Sequence, residues 1–506
     1  MSRSARRARN KRLAGKGRSA AGKAGPVAGK ALLATGLTAG LIVGGSLPAF
    51  ASTVRHHGHD YDGSSSRAYH DSSSTASASS TGRGDHVTAL AFHDSSAASL
   101  AQGNGNDVSS SAVGGATALN TVVGNHNDTS TTARGLGSSV GSSVQGSGNR
   151  VSDTATNGGD VYGPDNDVTG NGNRSYADAN GAGSIVANTI EGNGNVSYAD
   201  ANHPDGSQDV AYNDVLGSGN TSTAKSSGPG SGAENFVGTW PNYLPVDSYD
   251  NTTIATASGV GSAAFNGVDG DRNTAVSTAT DGGNDANGIY GYQDKAISTS
   301  SGPGSEAGGS AFGDHDVSTA AALGAGSEAA STSTGNYDNA ASTATSGGAA
   351  SILISGDHDN SSAKAADSGV LVENVTGNDD TTTGFASGTS TMSNGLPVYS
   401  QIVVDGNDDA ANAVSTGGAQ ALDTVSGDDS RADSRASGAG SIATATASDG
   451  GTATADASDG ETVTALASGS GAIATATDTT AMVSCPNAGD SASAVAGSGL
   501  SESCSD

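Results

Sequence analysis

Large side chains are scarce in this sequence. Aromatic residues make up 4% of its 506 positions, and Leu, Ile, Val and Phe together number 70. A chain with less than about 20% of those four types ordinarily lacks a conventional core. Cysteine occurs twice and tryptophan once, which excludes a disulfide-dense scaffold and a cysteine-rich metal site. Basic side chains are few after residue 51, where 12 face 51 acidic ones, a formal net charge of −39. That balance excludes nucleic-acid binding by phosphate neutralisation. No later run is apolar enough to span a membrane, so no membrane span is expected in the mature chain. A P-loop, an HExxH motif, a nucleophile elbow and a dinucleotide fingerprint in a strand–helix setting are all missing. The expectation is therefore a non-enzyme with no catalytic residue and no cofactor other than an ion.

Glycine is abundant, at 77 residues, and Ala supplies most of the 34% hydrophobic fraction. Ordering the backbone costs about 1–2 kcal/mol per residue, and Ala burial alone does not offset it. Two readings remain: a disordered, solvated low-complexity chain, or an architecture with a small-residue interior and cooperative backbone hydrogen bonding.

The ends have their own character. Residues 1–51 hold ten Lys and Arg and no acid, then an apolar stretch from Ala31 to Leu47 and a small-x-small Ala49-Phe50-Ala51. This reads as a signal peptide cleaved before Ser52. Retention as an anchor is the alternative, although the run is short and broken by glycine. Near the other end, Cys485 and Cys504 are expected to pair in an oxidising compartment, closing a loop worth about 3 kcal/mol in the chain-entropy model.

Between the ends the sequence repeats itself. Asn171–Asn180 reads NGNRSYADAN and Asn193–Asn202 reads NGNVSYADAN. Gly followed three residues later by Asn recurs at Gly103/Asn106, Gly124/Asn127, Gly146/Asn149, Gly170/Asn173, Gly192/Asn195 and Gly217/Asn220. The series resumes at Gly270, Gly291, Gly313, Gly335, Gly356, Gly377 and Gly406, with Asp replacing Asn from the second of these onward. Most intervals are 21 or 22 residues, and a second glycine turn follows many of the first by eleven. The intervening six or seven residues alternate small and polar types, which is strand patterning. Gly, Asn and Asp suit the turns between them. The fixed eleven-residue offset is not something a disordered chain requires. The predicted fold is all-β: a β-solenoid of strand–turn–strand–turn coils. About 16 coils at ~4.8 Å each make a rod of roughly 75 Å. Asn recurs to form a ladder of stacked amides, and Tyr176 and Tyr198 fall on adjacent coils.

The expected organisation is a signal peptide (1–51), a Ser/His-rich linker (52–100), repeats (101–231), an inserted loop (232–247), further repeats (248–387), a second inserted loop (388–405), repeats with halves shortened to ten or eleven residues (406–480), and a disulfide-closed end (481–506). Trp240 and Tyr243 in the first insertion and Tyr399 in the second are the candidate partner-binding residues. The linker includes HHGHDYD from His56, a weak metal motif, and the tripeptide Arg83-Gly84-Asp85.

G-x-G-N turns at 22-residue spacing with two strand halves resemble curlin repeats of bacterial surface fibres. The carrying residues are Gly103, Gly105, Asn106; Gly146, Gly148, Asn149; Gly170, Gly172, Asn173; and Gly192, Gly194, Asn195. The paired glutamines of those repeats are missing. The segment GDHDVSTAAALGAGSEAAS from Gly313 resembles head repeats of trimeric adhesins. The long basic leader resembles signal peptides of high-GC Gram-positive bacteria, which implies a surface protein of an actinobacterium. These resemblances imply a secreted or cell-surface protein that self-associates or engages surface or matrix components.

Two further expectations concern ligands. Stacking the later turns brings carboxylates at Asp314, Asp316, Asp357, Asp359, Asp379, Asp380, Asp408, Asp409, Asp428 and Asp429 into a column about 4.8 Å apart. Calcium, a hard ion with a preference for carboxylate oxygen, would relieve the repulsion. Thr444/Thr446, Thr452/Thr454 and Thr475/Thr477 resemble the T-x-T rows of ice-binding faces.

Overall fold

The computed structural model describes residues 63–495 and 501–503, apart from 204–207, 239–247, 336–337, 356–358, 367–368, 375, 377–379, 388–398, 404, 406–409, 428–429, 478–480, 488 and 490. Among the described residues every regular element is a strand. The strands stack in parallel as a β-solenoid, one coil about every 22 residues. One sheet has twenty strands; the opposite sheet has a run of nine and a run of ten. Isolated bridges Ala263–Asn284 and Asn284–Glu306 carry the ladder between those two runs.

Register follows the repeat. Strand Arg174–Asn180 pairs with Val196–Asn202 so that Tyr176 meets Tyr198, Ala177 meets Ala199 and Asp178 meets Asp200. Their rings lie 6.0 Å apart, tilted by 39°. A one-residue slip would turn every inward side chain outward, so the alternation of small apolar and polar residues sets the pairing. The inward apolar positions are mostly Ala, with some Val and Ile, and Ser, Thr, Asn and Asp fill other inward positions. Small interiors suffice because each strand's backbone groups are paired on both sides, coil above and coil below.

Three sequence expectations change here. Residues 65–100, read as linker, are solenoid: Ser65–His70, Thr75–Arg83, His86–Phe92 and Ser96–Asn104 are strands. Ser65 pairs with His86, and Thr75 with Ser96. The Ser-rich composition misled, because Ala68, Ala89, Ala91, Ala97 and Ala101 are all the interior this fold needs. The solenoid accordingly has about 17 coils. Second, the insertion expected from 232 begins later: Gly232–Glu234 pairs with both neighbouring coils. Third, Tyr399 does not sit on a loop. It opens strand Tyr399–Val403, in register with Val370 and Gln420, and its hydroxyl donates to Gln401 Oε1 at 2.7 Å. Its alternating neighbours Ser400 and Ile402 are buried, as strand patterning demands. Trp240 and Tyr243 lie outside the described residues, as do residues 1–62.

The shortened halves beyond 442 keep the same topology. Ile442 pairs with Thr462 in one sheet, and Thr452 with Ile473 in the other. Cys485 is fully buried and disulfide-bonded; Cys504, the chain's other cysteine, lies outside the described residues.

Candidate functional site: polar ladders inside the turns

The turn tetrads line one edge of the solenoid. Their third position is left-handed in the described tetrads: Gly105, Gly148, Gly172 and Gly194 at φ 67–68°, with His126, Arg272, Gln293 and His315 at 56–68°. The first glycine is required for a different reason. A Cβ on Gly192 would lie 1.7 Å from the carbonyl oxygen of Gly217 in the next coil. Gly103, Gly124, Gly146 and Gly170 face the same oxygen of the following coil at 1.6–1.8 Å. Close coil stacking, as well as turn geometry, explains the first glycine of the motif.

The last residue of each tetrad points inward. Asn106, Asn127, Asn149, Asn173, Asn195 and Asn220 are at most 1% exposed. Asn127 donates its backbone N–H and its Nδ2 to Asn106 Oδ1, both at 3.1 Å, and Nδ2 also reaches Gly146 O at 2.9 Å. The backbone bond recurs at Asn149, Asn173, Asn195 and Asn220, and the bond to the glycine carbonyl at the first three; Asn220 Nδ2 reaches the Ser248 carbonyl, which holds the glycine's place in the next coil. Buried amides are costly unless satisfied, and here the coils above and below satisfy them.

Ser64 is an earlier rung of the same kind, donating to Gly82 O at 2.9 Å and accepting Asp85 N–H at 3.2 Å, and Asp85 follows it. It is buried and accepts from Asn106 N–H and Nδ2 at 2.9 and 3.0 Å. The Arg83-Gly84-Asp85 tripeptide is therefore a solenoid turn whose acid faces inward.

From residue 294 the rungs are Asp, and the backbone answers the change. Asn273 Nδ2 donates to the carbonyl of Gly291 at 2.8 Å. Asp294, Asp316 and Asp338 instead accept N–H bonds from Gly291, Gly313 and Gly335 at 3.1, 2.8 and 2.7 Å. A carboxylate has no donor for a carbonyl; its partner is the N–H of its own tetrad's glycine, three residues earlier, whereas Asn273 reaches the glycine of the next coil. Burial pushes the Asp294 carboxyl up to about 7 and Asp316 up to about 6; hydrogen bonds from the backbone oppose the rise, and the neighbouring Asp charges add to it. Asp338 is raised by the same burial.

These facts bear on the calcium expectation. Within one turn the two acids diverge: Asp316 is buried while Asp314 lies on the outer rim, bridged to Tyr292. Asp359 and Asp380 are also fully buried, and Asp380 N–H donates to Asp359 Oδ1 at 3.4 Å. Among the described residues no three His, Cys, Asp or Glu side chains gather closely enough to hold a metal ion. Gly356, Asp357, Asp379, Asp408, Asp409, Asp428 and Asp429 lie outside the described residues. The T-x-T pairs are split: Thr444 and Thr446 belong to one sheet, Thr452, Thr454, Thr475 and Thr477 to the other. On the second sheet Thr452 meets Ile473 and Asp456 meets Thr477, so no unbroken double Thr row forms there.

A second ladder runs down the centre of the coil, and sequence reasoning missed it. Asn213 Nδ2 donates to Asn235 Oδ1 at 2.6 Å, Asn235 to Asn266 at 2.5 Å, and Asn266 to Asn287 at 2.6 Å. Asn166 and Asn188 occupy the same place two coils and one coil earlier, bonded to Ser175 and Ser197. The available signal was Asn four residues before a tetrad glycine, at 166/170, 188/192, 213/217, 266/270 and 287/291. Later in the chain Glu373 and Asp423 take this position. Burial lifts Glu373 to about 8, against hydrogen bonds from Gly384 and Thr382, and lifts Asp423 to about 7, with Asp433 adding to the rise.

Searched against known proteins, the chain matches no family model, no curated protein and no solved structure.

Proposed function

We propose that this protein is an exported structural or adhesive rod, acting at the cell surface or in an extracellular matrix through many equivalent outward positions. The observation that carries the reading is the register itself. Because each coil repeats its neighbour's alignment, outward residues such as Tyr176/Tyr198, Asp178/Asp200 and Asn180/Asn202 form matched rows. Matched rows suit multivalent contact, in which weak single contacts multiply when several engage together. The interior is built for stacking, with its polar groups held in ladders between coils. Export is supported by the basic leader and its small-x-small site. Self-association or attachment to surface and matrix components is the partner class. No catalytic role is proposed.

The test compares the full chain with a chain lacking whole coils, using retention on cell-wall and matrix-coated surfaces and negative-stain microscopy. The reading expects retention to fall steeply with coil number, or fibres to form. Monomeric rods that are not retained at any length would overturn it.

A further inference from the structure

On the outer face of the shorter-stranded sheet, residues 306–308, 328–330, 349–351 and 370–372 line a trough of about 390 Å³. Two parallel rows bound it. Glu306, Glu328, Ala349 and Val370 follow one another in register along one row. Gly308, Ala330, Ser351 and Val372 line the other side. The floor is the backbone above the inward Ala307, Ala329 and Ala350. The trough exists because the outward side chains here are small, so nothing fills the space between rows.

Its two ends differ. One rung past Val370 and Val372, the Tyr399 hydroxyl donates to Gln401 Oε1 at 2.7 Å. That bond ties the two rows together on the rung next to the trough. At the other end Glu306 and Glu328 are direct partners on adjacent strands and both are exposed. Like charges directly opposite each other destabilise a sheet. Among the described residues neither carboxylate lies within ion-pair distance of a Lys, Arg or His side chain. The centre, at Ala349, Val370 and Val372, is apolar.

We propose that this trough binds an amphipathic cation: an alkyl chain ending in a protonated primary amine. The ammonium sits between the two glutamates, where its three donors meet two carboxylates, and the chain lies along Ala349 and Val370. From Glu328 to Val370 is two rungs, roughly 10 Å at the sheet spacing, which suits a chain of octyl length. This site is separate from the adhesive reading above and is measured on soluble rods, whether or not they adhere.

The experiment is calorimetric titration of the full chain with n-octylammonium at low ionic strength, with n-octanoate and ethylammonium as comparisons. One octylammonium per chain is expected, with ethylammonium weaker for lack of the apolar contact and octanoate not binding. E306Q and E328Q each weaken binding about threefold and together about tenfold, the scale of exposed ion pairs. S351W, which fills the trough without touching the charge, abolishes binding. Both glutamates are exposed, so their substitution leaves the fold intact, and circular dichroism verifies this. Equal binding of octanoate, unchanged binding in the double variant, or many equivalent sites per chain would each overturn the assignment.

Discussion

Asn195 shows how much one side chain carries. Its Oδ1 accepts Asn220 N–H at 2.9 Å, and its Nδ2 donates to Gly217 O at 2.8 Å, all in the buried interior. Asn195→Ala orphans two backbone groups and should lower stability by about 2–4 kcal/mol, read as a shifted urea midpoint. Asn195→Asp sets a carboxylate against the Gly217 carbonyl. It should destabilise at pH 7 and recover on acidification, as the protonated acid donates to that oxygen. A pH-independent loss would show that the carboxylate had found an N–H donor in place of the carbonyl, as Asp294 has in the Gly291 N–H of its own tetrad. The two glycines of the same turn make a second comparison. Gly192→Ala meets Gly217 O at 1.7 Å and should prevent close stacking of the coils. Gly194→Ala meets nothing within 4 Å and should cost only about 1–2 kcal/mol, for a left-handed backbone at φ 67°.

At the scale of the element, consecutive coils differ in what their ladder holds. Strands Arg174–Asn180 and Val196–Asn202 stand beside amide rungs, whereas Lys295–Ser301 and Val317–Leu323 follow the carboxyl rungs Asp294 and Asp316. Those acids have folded-state values raised to about 7 and about 6, above the ordinary value of about 3.9. The folded state therefore binds the protons more tightly. Its stabilisation is fully present below about pH 4, declines as pH rises and is lost above about pH 7. Hydrogen exchange, corrected for intrinsic rate, should show protection of 295–301 and 317–323 falling between pH 5 and pH 8. Protection of 174–180 and 196–202 should change little. The period, the two strands per coil and the turn Asn of these elements were legible, because glycine at 21 or 22 residues marks each coil directly. The central ladder was not. Asn235 and Asn266 look like ordinary polar residues until the register shows that their parity points inward.

For the whole molecule, charge and repetition set the behaviour. A net charge of −39 beyond residue 51 repels itself along the rod, so raising salt from about 10 to 150 mM, where the Debye length shortens from about 30 to 8 Å, should raise the midpoint of thermal unfolding. The buried acids add in the same direction on acidification: with Asp153 and Asp285 each lifted to about 7 by burial, the chain should melt higher at pH 5 than at pH 8. A melting point unchanged by both salt and pH would contradict this account. Solenoid coils contact only their neighbours, so removing residues 63–84 should leave the remaining coils folded, with the β circular-dichroism signal reduced in proportion to length. Where the solenoid starts was hidden in the sequence, because Ser- and Ala-rich composition serves equally well for a linker and for coils with so small an interior.

The sequence by itself determined the coil period, the strand–turn alternation and the identity of each turn rung, because these depend on local backbone geometry and short-range spacing. Only the tertiary structure decided which polar residues are buried, which backbone group of a turn glycine each rung meets and which outward rows enclose a trough. Those outcomes depend on the coils above and below, since a side chain's partners in a solenoid lie about 22 residues away and its surroundings exist only once the coils have stacked.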